Sequence, residues 1–320
     1  MKRTEMLTIL LACFLSFSAC DSGKDEPAPE QPSKEDPVAP LKIGYGLAIG
    51  NFTAEKLTYA KSVGVSYVEA SGMGLFLDGN RNFKLSDEEI VKRLTEAKKA
   101  ADAAGIKVWS VHMPFGQNID LSLLDEEARL DVVAKHKKLI GFLKILEPQI
   151  ILFHPSYYLG LNERDRRKSQ LIKSATELDK AVQSINATMV LENMLGPELL
   201  ASNGRERPLM RTVEETVEIF QRLPKTIYSA IDMNHIKNPE NLIKAMGSRL
   251  KTVHIADGTG AAENHFFPCT GEGKNNWNAI LAALEEVKYT GPFMYESAFE
   301  DEKDFAACYQ SLYTNYINSK

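Results

Sequence analysis

Ile227-Tyr228-Ser229-Ala230-Ile231-Asp232 is a short, almost wholly apolar run that ends on an acid, and Met233-Asn234-His235 follows it. Asn238-Pro239 then opens a stretch of helical periodicity to Met246, with proline at the first helical position, where its missing N–H costs nothing. Thr252-Val253-His254-Ile255 is the next apolar run. Strands that are apolar throughout are covered on both faces, and a helix joining two of them is the crossover of a parallel sheet. The unit is strand, helix, strand, with its polar residues at the strand ends.

Outward from this stretch the same unit recurs eight times. The predicted strands are Lys42 to Leu47, Tyr67 to Ala70, Lys107 to His112, Ile150 to His154, Thr188 to Glu192, Ile227 to Asp232, Thr252 to Ile255 and Phe293 to Glu296. The predicted helices are Ala54 to Ser62, Asp87 to Ala104, Glu126 to Leu146, Arg164 to Ser184, Val213 to Arg222, Pro239 to Met246, Trp277 to Val287 and Asp301 to Tyr316. Ser86-Asp87-Glu88-Glu89 has the form of a capping box, and Gly105 ends the same helix. Eight such units predict an α/β fold of the (β/α)8, or TIM-barrel, type, as one domain over residues 41–320. The structural alternative, an open doubly wound sheet, usually carries a Gly-rich phosphate loop after its first strand, and none follows Ile43-Gly44-Tyr45-Gly46.

The N-terminus must be set aside before the barrel is read. Lys2 and Arg3 precede an apolar run from Met6 to Phe17 that is too short to span a bilayer, and Phe17-Ser18-Ala19-Cys20 closes it. Residues 1–19 are therefore expected to be a lipoprotein signal peptide and Cys20 the lipidated residue, anchoring the chain in the bacterial envelope, with the outer membrane expected, on its periplasmic side or at the cell surface. Asp21-Ser22-Gly23-Lys24-Asp25-Glu26 resembles the lysine-plus-acid tag of surface-exported Bacteroidetes lipoproteins. Through residue 40 the chain is rich in proline, acid, lysine and serine, a composition expected of a disordered tether.

Beyond Cys20 and Cys13, only Cys269 and Cys308 remain, too few for a disulfide framework and without a metal-type CxxC spacing, and structural burial is their expected state. The formal net charge of -5 comes without a lysine and arginine stripe, so no nucleic-acid partner is expected and a small polar substrate is favoured.

Of six histidines, His112, His154, His235, His254 and His265 fall at or just beyond predicted strand ends, as do Glu69, Glu192, Asp232 and Glu296. In a barrel these positions converge on one mouth. His136 lies mid-helix among Lys135, Lys137 and Lys138 and is expected to be solvated. One carboxylate from each of three strands plus one imidazole, Glu192, Asp232, His254 and Glu296, would surround a divalent metal. The mixed donors suit Mn2+, Zn2+ or Co2+, with Mg2+ as a harder alternative. Carboxylates packed against one another without a cation would repel strongly.

Ser110-Val111-His112, Phe153-His154-Pro155, Leu191-Glu192-Asn193, Asp232-Met233-Asn234-His235, Val253-His254-Ile255-Ala256-Asp257, the stretch from His265 to Gly273 through Trp277, and Tyr295-Glu296-Ser297 come in an order that resembles the xylose isomerase-like superfamily of sugar isomerases, sugar epimerases and endonuclease IV. The resemblance implies that Glu192, Asp232, His254 and Glu296 hold the metal, and that Glu192 and Glu296 exchange a substrate proton next to a carbonyl through an enediolate. It also implies that His235 contacts a substrate oxygen and that His265 stands where some epimerases have arginine. His112, His154, His235 and His265 are thus candidate substrate-binding residues for a small carbohydrate.

The same comparison carries alternatives. Endonuclease IV-type enzymes bind several zinc ions with additional histidines, and Glu263-Asn264-His265 adds an acid beside one of them here. A lyase or hydrolase acting on a keto-glycoside would use the same glutamates. A non-catalytic sugar-capturing lipoprotein is a third reading, though no member of the metal set is missing. Trp109, Tyr157, Tyr158, Phe266 and Trp277 lie near strand ends and could stack on a sugar ring, Phe266 foremost, and Arg205 and Arg207 could meet an anionic group.

Overall fold

The computed structural model describes residues 38–320. The expected signal peptide, the expected lipidation site Cys20 and the expected tether as far as residue 37 lie outside the described residues. The strands are β1 (Ile43–Ala48), β2 (Val65–Ser71), β3 (Lys107–His112), β4 (Ile150–Phe153), β5 (Thr188–Glu192), β6 (Tyr228–Asp232), β7 (Leu250–His254) and β8 (Phe293–Tyr295). The helices between and after them are α1 (Ala54–Ser62), α2 (Asp87–Ala104), α3 (Glu126–Leu143), α4 (Arg164–Gln183), α5 (Val213–Arg222), α6 (Pro239–Met246), α7 (Trp277–Glu286) and α8 (Asp304–Asn318). Every ladder is parallel and each strand pairs with its neighbour in sequence from β1 to β7, while β8 returns to pair with β1. The last seam is a single parallel bridge, Ile255 to Tyr295, with Ile255 N–H donating to the Met294 carbonyl at 2.7 Å. The (β/α)8 barrel expected from sequence is the observed fold.

Local signals set the element ends. Ser86 Oγ accepts from the Glu89 N–H at 3.2 Å, and Gly105 closes α2 at φ 67, a conformation a β-carbon would disfavour. The final turn of the predicted third helix tightens into a 3-10 turn at Lys144–Leu146. The last helix begins at Asp304 rather than Asp301, because the Asp301 carboxylate accepts from the Lys303 N–H at 2.9 Å and forms a turn of its own.

The alternation of a strand puts Val190, Ala230 and Thr252 on the same barrel-facing side as Glu192, Asp232 and His254. Trp109, Ile150, Leu152, Val190, Ala230 and Met294 form a small apolar cluster of their own, separate from the larger one between sheet and helices. Trp109 Nε1–H donates to Thr252 Oγ1 at 3.1 Å, and a β-carbon on Gly44 would come within 2.7 Å of Met294 Cε. The interior is thus a packed plug, which closes the barrel under the polar mouth.

Two sequence expectations are corrected. His136 is buried, not solvated: Val132, His136, Leu139, Ile140 and Leu143 recur at helical spacing and form the inner stripe of α3, so the flanking lysines belong to the other face. Its ring lies edge-on to Phe153 at 5.3 Å and Nδ1 has no partner. Of the two cysteines expected to be buried, Cys308 is and Cys269 is exposed, and together they form a disulfide, Cα–Cα 5.8 Å, tying the loop after β7 to α8 across 39 residues. Spacing alone gave no hint of it, because the two cysteines meet only once the barrel has closed.

Both corrections are testable. Burial lowers the His136 pKa to about 4. The unfolded chain takes up a proton near pH 6.5 that the folded chain refuses, so stability should fall as pH drops from about 6.5 to about 4. His136→Phe should flatten that part of a denaturant-unfolding pH profile, and an unchanged slope would contradict neutral burial. Replacing both cysteines by serine should cost about 2–4 kcal/mol in the same assay.

Candidate metal centre

Glu192 and Asp232 end β5 and β6, His254 ends β7, and Glu296 follows β8, so successive strands deliver one donor each to the mouth. Donor atoms of the four lie within 4.8 Å of one another. His254 Nδ1 sits 2.8 Å from Glu192 Oε1 and also contacts Glu296 Oε2, while its Nε2–H donates to the Glu69 carboxylate at 3.0 Å. Ser110 Oγ–H donates to the same carboxylate at 2.6 Å. Glu69 therefore keeps a proton on Nε2, so that Nδ1 is the nitrogen turned toward the other carboxylates and the one that a metal ion would take, as with a carboxylate behind a ligating imidazole.

Main-chain carbonyls do the same for other histidines. His112 Nδ1–H donates to Met113 O at 3.0 Å, His235 Nδ1–H to Asn193 O at 2.9 Å and His265 Nδ1–H to Glu296 O at 2.7 Å. Each Nε2 is then free to point inward. Those of His154 and His112 lie 3.2 and 3.6 Å from Glu192 Oε2. Those of His235 and His265 meet at Glu263 Oε2, at 3.0 and 3.1 Å. Two further donor sets thus flank the central one, His112 with His154 and Glu192, and Asp232 with His235 and His265. Glu263 completes the second; its place two residues before His265 was the only sign of it in the sequence.

The side chains that fix this geometry come from the strand ends themselves. Asn193 clamps Asp232 by accepting from its N–H at 2.8 Å and donating to its carbonyl at 3.2 Å. Asp232 Oδ1 accepts from the N–H groups of Asn234 and His235, at 2.6 and 3.2 Å. Asp257 accepts from Trp277 Nε1–H at 2.9 Å and Asn275 N–H at 3.0 Å, which folds the loop bearing Glu263 and His265 over the barrel end.

The donors fit a divalent cation. Glu192 Oε2 and Asp232 Oδ2 are buried oxygens that accept no well-aligned hydrogen bond. Asp232 Oδ2 lies 4.0 Å from the nearest nitrogens of His235, His254 and His265, about twice the ~2.0–2.2 Å of a metal–ligand bond. Protonation states tell the same story. Burial opposes a charged His254, yet Glu296, Glu69 and Glu192 hold it well above the ordinary histidine range. Burial pushes Asp232 up to about 6, with Glu296 and Glu192 adding to the rise and His235 and His265 opposing it. His265, despite desolvation, is raised to about 9 by Glu263 and Asp232. Protons occupy positions where a metal ion would supply positive charge.

The mouth is a cavity of about 350 Å³, lined by His112, His154, His235, His265, Glu192, Glu263 and Glu296 on one side and by Phe115, Tyr157, Tyr158, Met194, Leu195 and Pro208 on the other. Of the aromatic residues singled out in the sequence, only Tyr157 and Tyr158 line it. Trp109 lies in the barrel plug, and Trp277 is buried on Asp257. Phe266 does not reach the cavity because its main chain pairs with Asp257. Phe115, Met194 and Leu195 were missed, lacking any local pattern. Arg205 donates to the Tyr158 carbonyl and stacks on the Tyr157 ring at 5.7 Å, and neither it nor Arg207 lines the cavity. A larger cavity, about 500 Å³, opens at the strands' opposite ends among Trp109, Tyr289, Tyr309 and Tyr313, away from the donor sets.

A (β/α)8 barrel with carboxylate and imidazole donors gathered at its C-terminal mouth defines the class. The family model for the Xylose isomerase-like TIM barrel matches residues 57–308, and the chain belongs to that family. No curated protein sequence matches the chain significantly. Among solved structures, a D-tagatose 3-epimerase-like protein superposes with a TM-score of 0.66 at 18% identity, covering 87% of this chain and 98% of that one. D-psicose 3-epimerase from Clostridium cellulolyticum H10 gives 0.65 at 17%, covering 87% and 99%. The 3-keto-D-glucoside 4-epimerase of E. coli gives 0.61 at 18%, covering 87% and 100%. At such identities the likeness is one of fold.

Glu69 makes no contact with the cavity, so its role is positional. Glu69→Gln is expected to lower affinity for Mn2+ or Zn2+ about 10- to 100-fold in a calorimetric titration without unfolding the barrel. Unchanged affinity would remove Glu69 from the centre.

Proposed function

We propose that the chain is a divalent-metal-dependent isomerase or epimerase of a small sugar, moving a proton on carbon next to a carbonyl. The observation that carries this is the convergence of Glu192 and Glu296 on one ligand set, each also lining the mouth cavity. The activities named for the structurally similar proteins agree with it. A bound divalent ion would polarise the substrate's oxygens and make the neighbouring C–H more acidic. Glu192 and Glu296, on different strands, would take the proton from one face of the carbon and return one at the other. His112, His154, His235 and His265 would bind substrate oxygens, and the barrel plug below keeps the floor of the site dry.

A second reading has its own observation. The two flanking donor sets share Glu192 and Asp232 with the central one, an arrangement suited to two or three ions and to hydrolysis, or to lyase cleavage of a keto-glycoside. In the lyase case the same glutamate removes a proton and the glycosidic oxygen departs from the adjacent carbon.

The proposal places the enzyme in the bacterial envelope, lipidated at Cys20 and anchored to the membrane. The Cys269–Cys308 disulfide supports export, since such bonds persist in oxidising compartments. Among the described residues no helix is long and apolar enough to cross a membrane.

Glu192→Gln and Glu296→Gln are each expected to lower deuterium exchange from solvent into a keto-sugar by at least about 100-fold. Undiminished exchange in either variant would end the two-glutamate mechanism. Metal analysis of the purified protein separates the readings, one ion per chain for the first and two or three for the second.

A further inference from the structure

The mouth cavity has two chemically different sides. Its floor is imidazole and carboxylate; its wall is Phe115, Tyr157, Tyr158, Met194, Leu195 and Pro208. We propose that this wall is an aglycone subsite and that the substrate is a glycoside whose non-sugar part is apolar and about the size of an aromatic ring, rather than a free sugar. This rests on the sugar reading of the floor and goes further by naming what the sugar carries.

Hydroxyl groups are the first argument. A free sugar bears one on nearly every carbon, and each one buried without a partner costs about 1–3 kcal/mol. The floor can satisfy a ring's hydroxyls through its histidines and Glu263. The wall offers fewer: Ser156 Oγ already accepts from the Leu209 N–H at 2.9 Å and the Tyr158 carbonyl accepts from Arg205, which leaves the hydroxyls of Ser156, Tyr157 and Tyr158 as its side-chain polar groups, against the carbon surface of Phe115, Met194, Leu195 and Pro208. A group lying against that wall gains by being apolar.

The wall is also built and held. Phe115 is 51% exposed, yet its ring is stacked on His154 at 4.2 Å with the planes 25° apart. Tyr157 meets Tyr158 edge-to-face at 5.3 Å and carries the Arg205 guanidinium on its ring. A bridge from Leu159 to Glu206 joins the loop after β4 to the loop after β5, a bridge from Leu200 to Glu206 folds the second loop on itself, and Arg164 fixes Glu206 at 3.2 Å. Leu161, Leu199 and Leu200, on those same loops, are 59%, 40% and 55% exposed.

The decisive experiment compares methyl and phenyl β-D-glucosides by calorimetric titration of the metal-loaded protein. Neither carries a carbonyl, so neither can undergo the proposed proton transfer, and the result stands whether or not the exchange experiment succeeds. The phenyl glycoside is expected to bind at least about tenfold more tightly. Phe115→Ala and Met194→Ser should each bring the ratio toward one. Tyr313→Ala, in the opposite cavity, should leave it unchanged. Equal affinities, no binding of either glycoside, a ratio that survives both wall variants, or one abolished by Tyr313→Ala would each overturn the subsite.

Discussion

The structure turns on a concentration of negative charge in a place water barely reaches. Glu69, Glu192 and Asp232 are buried, Glu296 is partly exposed to the cavity, and all surround one imidazole, His254. In a medium of low dielectric such carboxylates repel by several kcal/mol per pair unless positive charge stands between them. The strand ladders give them no freedom to separate. Glu192, Asp232 and His254 are adjacent in register, with Glu192 opposite Ala230 and Asp232 opposite His254. No lysine or arginine lines the cavity. Protonated histidines can balance the charge alone, but they leave Asp232 Oδ2 without a hydrogen bond, 4.0 Å from the nearest nitrogens of His235, His254 and His265. A divalent ion removes both difficulties at once.

Support for this charge cluster extends outward in layers. Asn193 fixes Asp232 and, through its carbonyl, His235. Asn234 Oδ1 accepts from the N–H groups of Asn264 and His265, and a β-carbon on Gly258 would fall 1.9 Å from that same oxygen. The loop after β7 can come this close only because residue 258 has no side chain. His265 itself takes a left-handed φ of 44, a strained conformation for a histidine that is retained because both ring nitrogens are engaged. The disulfide at Cys269 holds the same loop from its far end.

The barrel and the central donor set were legible because both depend on periodic or positional signals. A run such as Thr188 to Glu192 announces a buried strand, and its final residue is bound to reach the mouth. What was not legible depends on contacts between distant segments. The His136 stripe could have been found by counting three and four residues along α3, but the surrounding lysines dominated the local composition. The Cys269–Cys308 pair becomes neighbours only through the closure of eight units. Phe115, Met194 and Leu195 lie in irregular loops, where direction is set by tertiary pairing such as that of Leu159 with Glu206 rather than by any period.

Membership in the family settles the scaffold, while the number of donors at the mouth governs what the scaffold can do. Glu192 is the hinge of that question. One of its oxygens faces His254 and the central set, and the other faces His112 and His154. Glu192 can accept a proton from carbon only through an oxygen not committed to a cation, and a carboxylate bridging two ions is too weak a base for a C–H bond. With the central set alone filled, the second oxygen is free and proton transfer is open to it. With the His112 and His154 set also filled, both oxygens are committed and the site is better suited to activating water. On the two readings proposed, one side chain would link metal stoichiometry to reaction type through the two histidines beside it.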